Sequence, residues 1–390
     1  MREALNKKVT EIKPSGIRKF FDIVSEIPDA ISLGVGEPDF ETPWHIREEG
    51  IYALERGKTF YTSNAGLIEL RQEITAYLSR RYGLEYDHRK ETLVTIGGSE
   101  AIDAALRAMI DEGDEVLVPE PSYVSYIPCI KLADGIPVSI NLKEENRFKL
   151  TKQELLDAVT PKTKILIMPF PNNPTGGIMT REDLEDIAKV VCEKDLFVIS
   201  DEIYSELTYG RDHVSIASLP GMRERTIVIN GFSKSYAMTG WRLGYACGPE
   251  KIIKQMTKIH QFAIMCAPTT SQCAAIEALR NGDADVEKMR EAYDERRRYL
   301  VARLNGMGLH TFEPEGAFYV FPCIKQFGLT SDEFATKLLM DQKVAVVPGT
   351  AFGDCGEGFL RISYAYSLEN LKRALDRIEI FVKGLKKAED

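Results

Sequence analysis

The chain has 390 residues, enough for two domains, with 44% hydrophobic and 28% charged residues, an ordinary globular balance. Its net charge of −9 and the lack of any basic block argue against nucleic acid or an anionic membrane as a partner. No apolar run reaches transmembrane length, and Met1–Asn6 lacks the apolar core of a signal peptide, so a cytoplasmic location is expected. Seven cysteines occur without a Cys-x-x-Cys pair, and five histidines without a His-x-x-x-His pair. Reduced core thiols and no metal site are expected.

The segment to about Pro28 is amphipathic and reads as an arm. In 31–40, Gly34 and Gly36 form a Gly-x-Gly pair, but Asp39 stands where a dinucleotide loop needs its third glycine. Gly36 fits better as a place where backbone passes close to a ligand. Residues 44–57 have helical periodicity. Tyr61–Gly66 is a loop, and Leu67–Tyr82 reads as a helix with apolar Leu70, Ile74, Tyr77 and Leu78.

From residue 93 the pattern repeats as strand, loop, helix. Leu93–Ile96 is a strand, and Gly97-Gly98-Ser99-Glu100 leads into a helix from Ala101 to Ile110. A glycine pair there exposes free N–H groups and the positive end of the helix dipole, a phosphate cradle, although many helices start at Gly-Ser and bind nothing. Glu115–Val118 is a strand that exits through Pro119–Tyr123. Lys164–Phe170 is another, followed by the fixed turn Pro171–Gly177. Leu196–Ser200 is an apolar strand that runs straight into Asp201 and Glu202, and a carboxylate there is costly unless partnered.

Thr226–Ile229 reads as a buried strand, and 231–244 follows it as Gly-Phe-Ser-Lys-Ser-Tyr-Ala-Met-Thr-Gly-Trp-Arg-Leu-Gly. Lys234 stands among small residues, with Arg242 downstream. An amine, room for a bulky ligand and an anion fork suit a phosphorylated aldehyde held on a lysine Schiff base, namely pyridoxal phosphate. A nucleotide loop is excluded. Ser233, not glycine, precedes Lys234, and Gly57-Lys58-Thr59 has Tyr52 where the earlier loop glycine belongs. Gly98, Tyr123, Asn173, Asp201 and Lys234 all fall just past predicted strand ends, the edge where open parallel sheets bind ligands.

Met289–Leu304 is a long charged helix that joins two domains. Gly316–Phe321 and Ala345–Gly349 read as strands, and Gly358–Tyr364 as a strand carrying Arg361. A buried arginine wants an anionic ligand or an internal salt bridge, and the sequence leaves both open. Leu368–Leu385 is the closing helix.

Over nearly the whole chain, these motifs resemble the class I/II aminotransferases, the fold-type-I pyridoxal phosphate enzymes, and above all archaeal aromatic and aspartate aminotransferases. The resemblance implies an α/β fold: a mostly parallel, doubly wound sheet with one antiparallel strand near Leu243–Gly248, and a second, smaller α+β domain. Residues 1–45 would form the N-terminal arm and part of the small domain, 46–288 the large cofactor-binding domain, and 289–390 the small C-terminal domain. It makes Lys234 the Schiff-base lysine and general base. Asp201 would face the pyridine nitrogen, Asn173 and Tyr204 the ring oxygen, and Tyr123 would stack on the ring. Gly98, Ser99, Ser233, Arg242 and Tyr61 of the partner subunit complete the implied cofactor set, and Gly36, Asn173 and Arg361 the substrate set. The implied reaction moves the amino group of an L-amino acid to a 2-oxo acid such as 2-oxoglutarate. An aromatic amino acid is the first expectation and aspartate the second, in a homodimer with shared active sites.

One position departs from the pattern: many relatives carry a phosphate-binding serine where this chain has Gly231, which puts cofactor affinity in question. Two other classes remain. A pyridoxal phosphate lyase or decarboxylase uses the same fold. A non-enzymatic ligand-sensing regulator carries an N-terminal DNA-binding domain, whereas this acidic chain reaches its cofactor-domain pattern by residue 31.

Overall fold

The computed structural model describes residues 4–14 and 27–389, so most of the expected arm lies outside the described residues. The chain enters through a short helix α1 (Lys7–Glu11), a two-residue strand β1 (Ile31–Ser32), and helices α2 (Trp44–Glu55) and α3 (Ile68–Tyr82). The β-branched runs then build one sheet: β2 (Thr92–Thr95), β3 (Glu115–Glu120), β4 (Ile136–Asn141), β5 (Thr163–Met168), β6 (Phe197–Asp201), β7 (Thr226–Gly231) and β8 (Gly244–Cys247). Their spatial order is β2-β8-β7-β6-β5-β3-β4. Strand β8 runs antiparallel to both its neighbours, and every other pairing is parallel.

Both faces of this sheet are covered, which is why its strands are apolar without alternation. Ile165 and Ile167 of β5 pack on one side with Ala101, Ala105 and Met256, from α4 (Gly97–Met109) and α8 (Glu250–Ala263). Leu166 and Met168 pack on the other with Leu184, Ile187 and Val191 of α7 (Arg181–Glu193). Helix α5 (Tyr126–Leu132) joins the first face and α6 (Lys152–Ala158) the second; α9 (Thr269–Asn281) packs on α2 and α3. Strand β4 escaped the sequence reading. It is an edge strand, half exposed and interrupted by Pro137, so it lacks the apolar signature of its neighbours.

The smaller part is α+β. Strands β9 (Tyr319–Val320), β11 (Val347–Pro348) and β12 (Leu360–Ser363) form an antiparallel sheet of order β11-β12-β9. Strand β1 pairs in parallel with β10 (Val344–Ala345). The expected strand Ala345–Gly349 is therefore two strands in different sheets. The expected strand Gly316–Phe321 shrinks to Tyr319–Val320, because Ala317 sits at φ 56°, outside strand geometry. Helix α10 (Asp283–Met307) is longer than expected and ends at Gly308, whose φ of 87° suits glycine. With α11 (Ser331–Gln342) and α12 (Leu368–Glu389) it encloses a core that includes Leu33, Tyr293, Phe318, Val344, Ile362 and Leu371. Among the described residues no helix is long and apolar enough to cross a membrane.

Candidate active site

The C-terminal ends of β2, β3, β5, β6 and β7 share one edge of the large sheet, and a cavity of about 370 Å³ opens there. Its lining includes Gly36, Gly98, Ser99, Tyr123, Asn173, Asp201, Tyr204, Ser233, Lys234, Arg242 and Arg361. The five residues expected on the strand ends thus converge, and Arg361 reaches them from β12 of the smaller part. Tyr61 does not line this cavity. It is 81% exposed in the loop before α3.

Lys234 stands three residues beyond β7, and its Nζ donates to the Gly36 carbonyl at 2.5 Å. Burial pushes the amine down to about 8. Glu37 opposes that shift, Arg361 and Arg242 reinforce it, and Asp201 opposes it. The loop that carries Lys234 is pinned from outside the sheet. Thr42 donates to the Ala237 carbonyl at 2.6 Å and accepts the indole N–H of Trp241 at 3.0 Å. Ala237 and Arg242 both have φ of 51°, a left-handed conformation that side chains rarely adopt.

Asp201 is the last residue of β6 and is buried. Tyr126 donates its phenol to Asp201 Oδ2 at 2.6 Å, and the Ile203 N–H reaches Oδ1 at 3.3 Å. Burial raises the Asp201 pKa, while the Tyr126 and Ile203 hydrogen bonds and Lys234 lower it and Glu202 raises it. The hydroxyl of Tyr204 shares a 2.8 Å hydrogen bond with that of Tyr319. Burial lifts the Tyr204 phenol well above its ordinary range, so it stays a proton carrier.

Arg361 is the sharpest case of a sequence ambiguity resolved by packing. Its guanidinium is buried between the rings of Tyr319, 4.6 Å away, and Phe352, 4.8 Å away. Its Nη1 donates to Asn173 Oδ1 at 2.9 Å, and its Nη2 donates to the Gly34 carbonyl. Its Nε is buried with no partner among the described residues. Among the described residues no carboxylate pairs with it, so the internal salt bridge is absent and an anion from outside fits the site.

The opposite end of the cavity is an anion cradle. Gly97 and Gly98 lie in the first turn of α4 rather than in a loop before it. A Cβ on Gly97 would come 2.9 Å from Arg242 Nη2, so the guanidinium sits against the helix N-terminus. Ser99 Oγ lies 3.3 Å from the Tyr123 hydroxyl. Gly231 also finds its reason. A Cβ there would meet Gly244 Cα at 3.0 Å and the Leu243 carbonyl at 3.1 Å. A serine at 231 would press on the close pairing of β7 with β8, which would have to give by a few tenths of an ångström.

Tyr126 and Tyr319 were missed. In sequence both look like core aromatics, and nothing local says that their hydroxyls turn toward Asp201 and Tyr204. Glu37 and Thr239 also line the cavity, and Thr239 Oγ1 donates to Glu37 Oε2 at 3.3 Å.

A depressed amine, a buried carboxylate and a helix N-terminus with an arginine fit the three polar ends of pyridoxal phosphate: aldehyde, ring nitrogen and phosphate. Comparisons with known proteins agree. The family described as aminotransferase class I and II matches residues 28–378. An aspartate aminotransferase of Pyrococcus abyssi is 50% identical over 96% of this chain and 97% of its own length. A probable N-acetyl-LL-diaminopimelate aminotransferase of Bacillus subtilis is 47% identical over 100% of this chain and 98% of its own. The crystal structure of an aromatic aminotransferase from Pyrococcus horikoshii superposes with a TM-score of 0.91 at 47% identity, covering 95% of this chain and 99% of that one. A lysine loop, a carboxylate and an anion cradle on one sheet edge, in a chain matched along almost its whole length, make this protein a member of the class I and II aminotransferases, a transaminase that uses pyridoxal phosphate.

Proposed function

We propose that this aminotransferase takes an aromatic L-amino acid, with aspartate as the second choice, and passes its amino group to a 2-oxo acid such as 2-oxoglutarate. The observation that carries the substrate choice is the inventory of the cavity wall. The cations lining it are Lys234, Arg242 and Arg361. Lys234 is assigned to the cofactor aldehyde, Arg242 to its phosphate and Arg361 to the substrate α-carboxylate. Among the described residues of this chain no lining cation is then left for the second carboxylate that aspartate and 2-oxoglutarate both carry, so that group is left to the partner subunit, whereas Val35 and Tyr319 offer apolar and aromatic wall to a ring. Relatives named for aspartate and for aromatic amino acids differ little in identity, so likeness alone does not rank the two. A panel of amino acids with 2-oxoglutarate decides. Tyrosine or phenylalanine should give the highest kcat/KM; aspartate at the top would overturn the choice.

When bound, pyridoxal phosphate supplies an electron sink beside the substrate Cα. The chain does the rest. Gly98, Ser99 and Ser233 with Arg242 would hold the phosphate through N–H groups, hydroxyls and the guanidinium fork. Asp201 would meet the ring nitrogen, where an ionised carboxylate would keep a proton on that atom. Asn173 and Tyr204 would donate to the ring oxygen, and Tyr123 would cover the ring face. Arg361, with Gly36 and Asn173 beside it, fixes the α-carboxylate so that the Cα–H points at Lys234. The Lys234 amine, depressed to about 8, would take that proton from Cα as general base and deliver it to the cofactor's carbon.

The catalytic unit in this reading is a homodimer in the cytoplasm. Tyr61 is exposed beside Phe60, which is 80% exposed, and the segment 262–265 carries Phe262 at 87% and Met265 at 44%. The Thr269 hydroxyl donates to the Phe60 carbonyl and the Asn64 amide to the Met265 carbonyl, tying the two segments into one apolar patch. A second copy would cover that patch and bring Tyr61 of the partner subunit to the phosphate.

A further inference from the structure

We propose that Tyr126 is a positioning residue for Asp201: its buried phenol keeps the carboxylate ionised and turned toward the cavity. The proposal rests on the reading of Asp201 as the partner of the cofactor's ring nitrogen. Asp201 Oδ2 receives the Tyr126 O–H at 2.6 Å, a short bond of the charge-assisted kind. Its Oδ1 receives only the long Ile203 N–H at 3.3 Å. Tyr126 is thus the strong donor to a carboxylate that burial pushes toward protonation.

The other charged and titratable groups facing Asp201 do not replace it. Lys234, across the cavity, favours the ionised form, but its own proton is held weakly. Glu202, next in the chain, disfavours that form. Glu202 is engaged elsewhere, with the Ser200 and Ser215 hydroxyls and with His213. Tyr204 is a neutral phenol bonded to Tyr319. Tyr126 cannot easily swing away. It opens α5, its ring meets that of Tyr123 edge-on at 5.5 Å, and only 2% of it is exposed. Burial, with the charge of Asp201 beside it, keeps the phenol protonated far above working pH. The plainer reading is that a buried hydroxyl has merely found the nearest acceptor. The two differ in what removing that hydroxyl does to Asp201.

The test is a titration of the Asp201 carboxyl in the full chain, first freed of cofactor, by infrared spectroscopy with carbon-13-labelled aspartate. The Asp201→Asn variant assigns the band. Tyr126→Phe keeps the ring and removes the donor, so the pH of half-ionisation of Asp201 should rise by roughly one unit. An unchanged titration in a folded Tyr126→Phe protein overturns the proposal. Should that variant not fold, 2,3-difluorotyrosine at position 126 provides a stronger donor and a shift of opposite sign, a lower half-ionisation pH; no shift or a rise rejects the role. The underlying reading is tested separately on the loaded enzyme, by nitrogen-15 NMR of the labelled cofactor ring. If Asp201→Asn leaves the ring nitrogen protonated, the assignment of Asp201 fails, whatever Tyr126 does to the carboxyl.

Discussion

The two ends of the cavity are finished to different degrees. At the ring and carboxylate end the fully buried side chains are already held by others: Asp201 by Tyr126, Tyr204 by Tyr319, and Arg361, through its two Nη atoms, by Asn173 and Gly34. At the phosphate end Ser99 and Arg242 are exposed, and Tyr61 stands 81% exposed away from the cavity. Preorganisation is valuable where charge must be steered during reaction, because a buried dipole needs no rearrangement at that moment. A phosphate that only anchors needs strong contacts but not dry ones. In the proposed homodimer the first end is built within one chain, and the second is where Tyr61 of the partner subunit would be added.

Breaking the preorganised end should cost most. Lys234→Ala removes the amine that both anchors and moves the proton, so turnover should fall by at least ~10²–10⁴-fold. Borohydride reduction of the wild-type enzyme with peptide mapping should find the pyridoxyl label on Lys234; a label on any other lysine would sink the assignment. Asp201→Ala should leave that label in place and lower kcat by about 10²–10³-fold, the scale for losing one preorganised electrostatic partner. A near wild-type rate would make Asp201 a structural residue. Arg361→Lys keeps the charge but loses the planar fork, and it should raise KM for both amino acid and 2-oxo acid by about tenfold or more with cofactor content unchanged. Loss of cofactor with unchanged KM would contradict the clamp.

A smaller effect concerns stability. The folded protein holds the Lys234 amine at about 8 against an ordinary 10.5, so between those values the unfolded chain binds more protons. Stability of the cofactor-free protein should therefore rise with pH across that window through this group. The stabilisation produced by Lys234→Met, read from urea melts, should shrink from pH 7 to pH 10. A difference that stays constant would mean the amine is not depressed.

The same contrast explains what was legible in the sequence. Lys234, Asp201, Asn173, Tyr123 and Gly98 were readable because each position is set locally, by where an apolar run stops, and one parallel sheet brings all the stops to one edge. Tyr126 and Tyr319 were not, because each acts through a partner 75 or 115 residues distant, and a phenol in an apolar run looks like core. The charge of Arg361 was visible, but the absence of an acid beside it was a fact of packing. Short strands failed in the same way: Val344–Ala345 and Val347–Pro348 read as one run and belong to two sheets.

The claim that the phosphate end is shared between chains is open to one direct measurement. Lys234→Ala and Tyr61→Ala proteins, each impaired alone, are unfolded, mixed and refolded, and activity is measured with mixed dimers shown to be present. In a mixed dimer one site collects both defects, while the other receives an intact Lys234 from one chain and an intact Tyr61 from its partner. Activity should reappear above that of either parent. If Tyr61 serves its own chain instead, every site in the mixed dimer carries one defect, and no activity returns.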